Sequence, residues 1–128
     1  MKRITALILT LAVAGLVAAA SGRAGEAASP ITAKSKLLLT VGPGFTITLK
    51  TSAGKSFSSM KRGTYTILVR DKANIHNAHL SAPGGVSKKT GISFVGSMTW
   101  KVKLTKAGTL KYRCDAHPTS MFGSRKIV

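Results

Sequence analysis

Residues 98–104 alternate between apolar and polar side chains without a break. Successive side chains of an extended chain point to opposite faces, so the apolar residues share one face: they are Met98, Trp100, Val102 and Leu104. The opposite face carries a threonine and two lysines. This period of two is typical of a strand with one face in a core and one face in water. Residues 45–49 show the same alternation, and residues 65–69 show it with one extra apolar residue.

Turn-forming residues lie between these segments. Gly and Pro interrupt the pattern at residues 42–44, 52–54, 61–63, 83–85 and 107–108, where a chain of short strands must reverse. No segment after the leader carries a helical stripe of apolar residues longer than one or two turns. We therefore expect an all-β domain, a β-sandwich or barrel of about seven or eight strands.

The first residues are predicted to be a signal peptide. Lys2 and Arg3 precede an apolar run from Ile4 to Ala20 that ends in small residues, the pattern of a secretory leader. We assign residues 1–28 to this signal and a flexible lead-in, with cleavage near residue 20 or 27. Residues 29–128, roughly 100 residues, then form one domain. Export places this domain in the periplasm or at the cell exterior.

The predicted mature domain is strongly basic. The chain has 20 Lys and Arg residues, and three of them lie in the leader, which leaves 17 against the two acids Asp71 and Asp115, a net charge of +15. The basic residues are scattered singly or in pairs with few aromatics between them, which argues against a specific nucleic-acid site. This charge favours a soluble surface and an acidic protein partner. Loose association with an anionic membrane surface stays open.

Cys114 is the only cysteine of the chain, and it cannot form an internal disulfide. Taken singly, such a cysteine is most often a small buried hydrophobic residue, and a methionine near the C-terminus is usually core. However, His117 and Met121 follow Cys114 on one short loop. A thiolate, an imidazole and a thioether are ligands of mononuclear copper sites, which need a second histidine. His76 and His79 are the candidates, and in an extended segment they leave opposite faces.

Smaller features of this region also fit a metal site. Pro118 stiffens the loop after His117, and Gly123 is expected to let the chain turn back into a closing strand. Three phenylalanines are candidates for an apolar collar that keeps water off the metal: they are Phe57, Phe94 and Phe122.

These motifs resemble those of small cupredoxins, the family of plastocyanin, pseudoazurin and amicyanin. The matching elements are the His76-Asn77 pair, the Tyr-x-Cys-x-x-His-Pro run at residues 112–118, and the Met-x-Gly close at residues 121–123. The resemblance extends over most of residues 29–128 and implies a Greek-key β-sandwich. It also implies one type 1 (blue) copper ion held by His76, Cys114, His117 and Met121. Asn77 is then expected to brace the Cys114 loop by hydrogen bonds without binding the metal.

The resemblance also implies a function. A type 1 copper protein carries single electrons between redox partners as the metal cycles between Cu(II) and Cu(I), and it is not an enzyme. The edge of the loop histidine is expected to be the electron port, inside a patch formed by Ala116, Pro118 and Phe122, and the protein is expected to be a monomer. Two alternatives remain: a copper-binding module for sequestration or delivery, and a polycationic surface protein on a cupredoxin scaffold.

Overall fold

The computed structural model describes residues 28–128, so the predicted signal peptide and the lead-in up to residue 27 lie outside the described residues. These residues form nine strands: β1 (Leu37–Val41), β2 (Ile47–Thr51), β3 (Ser59–Met60), β4 (Gly63–Asp71), β5 (His79–Ala82), β6 (Val86–Lys89), β7 (Gly96–Leu104), β8 (Gly108–Arg113) and β9 (Phe122–Ile127). Within residues 28–128 no helix is long and apolar enough to cross a membrane.

The strands form two sheets. One sheet has four strands in the order β2-β1-β4-β7, and the other has five in the order β3-β9-β8-β5-β6. Strand β1 pairs antiparallel with β2 and parallel with β4. The all-β prediction is confirmed. The count is nine rather than seven or eight because the two-residue β3 adds a short pairing with the end of β9.

The core lies between the two sheets and is lined by alternate residues of nearly every strand. In β7, Trp100, Val102 and Leu104 are buried while the intervening lysines are exposed. The same alternation runs through β1, β4 and β8, where Leu39, Ile67 and further apolar side chains are inaccessible to solvent. Burial of this face stabilises the sandwich by about 25 cal/mol for each Å² of apolar surface removed from water.

Strand register brings three connecting segments to one end of the sandwich. The 72–78 segment leads into β5, and the 114–121 loop follows β8. These two strands are neighbours, and the first residue of β5, His79, pairs with the last residue of β8, Arg113. In the other sheet, β1 ends at Val41 beside Asp71, the end of β4. The turn after β1 therefore lies at the end of the sheet from which the 72–78 segment departs.

Candidate metal centre

Three donor atoms converge at this end of the sandwich. The Nδ1 atoms of His76 and His117 lie 3.1 Å apart. The Cys114 Sγ lies 3.9 Å from Nδ1 of His76 and 3.7 Å from Nδ1 of His117. These three side chains form a group whose ligand atoms all lie within 4.8 Å of one another.

The spacing of these donors fits a single metal ion. Protein sites hold a metal at about 2.0 Å from a histidine nitrogen and about 2.3 Å from a cysteine sulfur. With angles between about 100° and 130° at the metal, such donors lie about 3.1–3.9 Å apart. The observed separations cover the same range, and angles of this size belong to a nearly planar trigonal arrangement. Two imidazoles and one thiolate in a trigonal set are typical of type 1 copper.

Burial differs between the two histidines. His76 and Cys114 have no exposed surface, whereas His117 is partly exposed. His117 is thus the one member of the group that reaches solvent. A thiolate closed off in this way is shielded from oxidation by solvent species.

The loop that carries Cys114 is closed by its own backbone. The Cys114 N–H donates to the Met121 carbonyl at 2.9 Å, and the N–H groups of His117 and Met121 donate back to the carbonyls of Cys114 (3.2 Å) and His117 (2.9 Å). These bonds fix the spacing of the two ligands on the loop. Met121 is completely buried, and its thioether remains a predicted axial ligand.

Asn77 ties the two ligand segments together. Its backbone N–H donates to the Cys114 Sγ at 3.4 Å. Its side-chain oxygen accepts from the Asp115 N–H at 2.7 Å, and its Nδ2 donates to the Asp115 carboxylate (3.0 Å) and to the Thr90 carbonyl (3.1 Å). The expected hydrogen bonds from Asn77 to the loop are therefore present, and they hold Cys114 against the segment that carries His76.

His79 lies apart from the donor group. Its Nδ1 contacts the Asp115 carboxylate at 2.8 Å, and its Nε2 lies 3.3 Å from the Ser87 hydroxyl. Burial raises the pKa of Asp115, but hydrogen bonds from His79, Asn77 and Arg113 outweigh burial and bring this pKa to about 2. The structure thus places His76 in the donor group. His79 instead contacts the Asp115 carboxylate, which accepts a hydrogen bond from the Asn77 side chain.

Sequence reasoning missed the aromatic side chain at this cluster, which is Phe45. Its ring meets His76 and His117 edge to face, with centroids 5.4 and 4.9 Å away, and 59% of the residue is exposed. Of the phenylalanines expected to form a collar, Phe57 instead packs under the Arg125 guanidinium, 5.0 Å from its ring centroid. Phe45 directly follows the first predicted turn, at the start of a predicted strand. This position was the one sign in the sequence that its ring could lie near a loop end of the domain.

The reason given for Gly123 was wrong. This residue lies inside strand β9 opposite Tyr112, and it has no positive φ. A Cβ atom at this position would overlap the Tyr112 ring. The glycine is needed for this close packing and not for a turn.

The fold is shared with rusticyanin, which is described as a copper protein. A structure of reduced rusticyanin matches with a TM-score of 0.51 at 20% identity, covering 79% of this chain and 82% of rusticyanin. A structure described as that of the copper protein rusticyanin matches with a TM-score of 0.51 at 20% identity, covering 78% of this chain and 80% of the other. A Cu(I) form of an amicyanin mutant matches with a TM-score of 0.46 at 17% identity over 75% of this chain and 85% of amicyanin. No family model and no curated protein matches the chain.

The chain therefore has the cupredoxin fold, and it carries a His-Cys-His donor group that fits a type 1 copper site.

Proposed function

We propose that this protein is a type 1 copper protein that carries single electrons between redox partners. The observation that supports this most directly is the spacing of the His76, His117 and Cys114 donor atoms. Bound copper would supply one-electron chemistry by alternating between Cu(II) and Cu(I). Each cycle takes one electron from a donor protein and passes one electron to an acceptor, so the carrier itself is unchanged.

The chain's own residues keep this site in one arrangement. Soft thiolate and thioether ligands favour Cu(I), and imidazole suits both oxidation states. Asn77 and the backbone bonds of the 114–121 loop hold the donors in place. With Met121 as the fourth ligand, no position is left for a substrate, which favours a carrier over an enzyme.

Copper titration of the purified mature protein tests this proposal. We expect one equivalent of Cu(II) to give an intense visible absorption band from the thiolate, and we expect Cys114→Ala to abolish the band. The His79→Ala variant is the matched control, because His79 lies outside the donor group; it should retain the band. A colourless wild-type protein with no tight copper site would refute the proposal. Reversible one-electron voltammetry would then separate a carrier from a sequestration or delivery protein.

An acidic redox partner is proposed to dock beside the partly exposed His117. Ala116 and Pro118 are exposed, and 65% of Phe122 is exposed. Pro118 and Phe122 line a groove of about 410 Å³ whose wall also includes Lys111 and Arg113. This places positive charge directly next to the apolar patch. Opposite charge on the partner would speed the encounter, and salt would slow it.

Oxidation kinetics with a charged reagent test the docking proposal without knowledge of the partner. We expect oxidation of the Cu(I) protein by hexacyanoferrate(III) to slow as ionic strength rises, and to slow further in Lys111→Gln. Lys103→Gln removes an equal charge from the other sheet and should have a smaller effect. A rate that is insensitive to salt, or equal effects of the two substitutions, would refute docking at this groove.

Export completes the proposal. The leader pattern of residues 1–28 supports a mature protein in the periplasm or at the cell exterior, acting as a monomer. N-terminal sequencing of the protein secreted by an expressing bacterium would identify the cleavage site, expected near residue 20 or 27. Recovery of the uncleaved chain in the cytoplasm would contradict it.

A further inference from the structure

Asp71 is a buried carboxylate without an assigned role. Only 2% of the residue is exposed, and its Oδ2 has no hydrogen-bond partner. His76 is also fully buried, and its Nε2 has no partner either. Among residues 28–128 only one further buried side-chain polar atom lacks a partner, the Nε of Arg125. Buried polar groups are normally hydrogen-bonded, so each exception asks for an explanation.

Several contacts place these two residues in one small cluster. The Ala73 N–H donates to the Asp71 Oδ1 at 3.2 Å, and the His76 N–H donates to the Ala73 carbonyl at 3.4 Å. Val41 pairs with Asp71 across the sheet. At the next residue, Gly42, a Cβ atom would lie 3.2 Å from the His76 Cδ2, the ring carbon bonded to Nε2.

Their electrostatic relation agrees with this placement. Burial raises the pKa of Asp71, while the hydrogen bond from Ala73 and attraction to His76 act in the opposite direction. The attraction to His76 is the smallest of these three effects, and it agrees with a position of the carboxyl group near the imidazole.

Metal binding changes what His76 requires. Its Nδ1 faces Cys114 and His117, so a metal on this atom leaves the hydrogen of a neutral ring on Nε2. That N–H is a donor that needs a buried acceptor. Metal-bound histidines usually donate this second N–H to a carboxylate or carbonyl, which fixes the orientation of the ring. The free oxygen of Asp71 is an acceptor that lacks a donor.

We propose that Asp71 is the positioning residue of His76: its free oxygen accepts the Nε2–H when metal is bound, and its charge stabilises the more positive oxidation state. This inference rests on the proposed copper function. The two atoms form no hydrogen bond as they stand, so the proposal requires the carboxyl group or the imidazole to reorient when metal binds. A buried negative charge near the ligand favours Cu(II) over Cu(I), so Asp71 lowers the reduction potential.

The Asp71→Asn variant tests this role. Asparagine retains the size of the side chain and an oxygen for the Ala73 N–H, but it removes the charge. Measured at pH 8, the ratio of Cu(I) to Cu(II) affinity should rise at least tenfold, which is about 59 mV in potential for one electron. Lys72→Gln is the control, because it changes the charge by one unit at an adjacent exposed residue. It should change the ratio by less than twofold.

A second measurement does not depend on redox activity. In ¹⁵N-labelled Cu(I) protein, the His76 Nε2–H should exchange slowly with water in the wild type and at least tenfold faster in Asp71→Asn. If the variant does not fold, Asp71→Ser still offers an oxygen to the Ala73 N–H, and the same rise in potential is expected.

The outcomes separate this inference from the proposed function. A wild-type protein that gives no thiolate-copper band refutes the copper function. If wild type and variant both give the band, while the affinity ratio and the exchange rate change less than twofold, the role of Asp71 is refuted and the copper function stands.

Discussion

The side chain of Asn77 offers the sharpest test of how the site is held. Only 2% of the residue is exposed, and its amide group makes three hydrogen bonds to the 114–121 loop and to Thr90. Asn77→Ala removes all three and leaves the Asp115 N–H and the Thr90 carbonyl without their partner. The predicted result is a large loss of stability in the metal-free protein.

The magnitude follows from these bonds. Two of them join neutral groups and contribute about 1 kcal/mol each, and the bond to the Asp115 carboxylate contributes about 1.5–3 kcal/mol. We therefore expect Asn77→Ala to lower the free energy of unfolding by about 3–5 kcal/mol, out of about 5–15 kcal/mol for a domain of this kind. For a domain of this size each kcal/mol shifts Tm by about 4–8 °C, so Tm should fall by at least about 12 °C.

Urea denaturation of the metal-free protein, followed by Trp100 fluorescence, measures this loss. Asn74→Ala is the matched control, because Asn74 lies exposed on the same segment, and we expect it to change stability by less than about 0.5 kcal/mol. A loss below about 1 kcal/mol in Asn77→Ala, or equal losses in the two variants, would refute the bracing role of Asn77.

Two further predictions concern residues near the loop. The pKa of Asp115 is about 2 in the folded protein against an ordinary 3.8; its ionised form therefore stabilises the fold above about pH 4, and this contribution is lost as pH falls toward 2. Between pH 5 and pH 2 the wild type should lose about 1 kcal/mol more than Asp115→Asn in urea titrations, and parallel curves would contradict this. Gly123→Ala forces the Tyr112 ring aside and should lower the free energy of unfolding by about 1–3 kcal/mol. Gly91→Ala is the control, because a Cβ there meets nothing within 4 Å, and its stability should be nearly unchanged. Equal Tm values for these two variants would show that the Tyr112 ring moves aside without cost.

The fold class was readable from the sequence because alternation reports which face of each strand is buried. The alternation assigned four side chains of β7 to the core. Three of them, Trp100, Val102 and Leu104, are buried, and the fourth, Met98, is half-buried. Strand pairing was not readable. The parallel pairing of β1 with β4 joins segments about thirty residues apart, and the choice between two sheet neighbours depends on the whole core rather than on either segment.

The candidate site was readable only in part, for a related reason. Spacing alone brought Cys114, His117 and Met121 onto one loop. It left open whether His76 or His79 is the second histidine ligand, and the resemblance to cupredoxins was needed to choose between them. Phe45 was missed because its contact with the histidines is long-range. Its segment is adjacent to them only after β1 pairs with β4.

One register of the five-stranded sheet determines both the donor site and the charged surface beside it. Lys89, His79, Arg113 and Phe122 pair in sequence across β6, β5, β8 and β9, and they form the row nearest the loop that holds the donors. From this row, His79 contacts the Asp115 carboxylate, and the same carboxylate accepts a hydrogen bond from the Asn77 side chain. A shift of β5 against β8 would therefore misplace the brace of Cys114 and the basic row together. Asp71 and Asp115 are the only carboxylate side chains among residues 28–128. Asp71 is buried, and Asp115 pairs with Arg113 at 3.0 Å, so Asp115 is the one carboxylate that offsets positive charge around the His117 edge. The same strand pairing thus supports both halves of the proposal: a rigid one-electron site, and a surface next to it that attracts acidic partners.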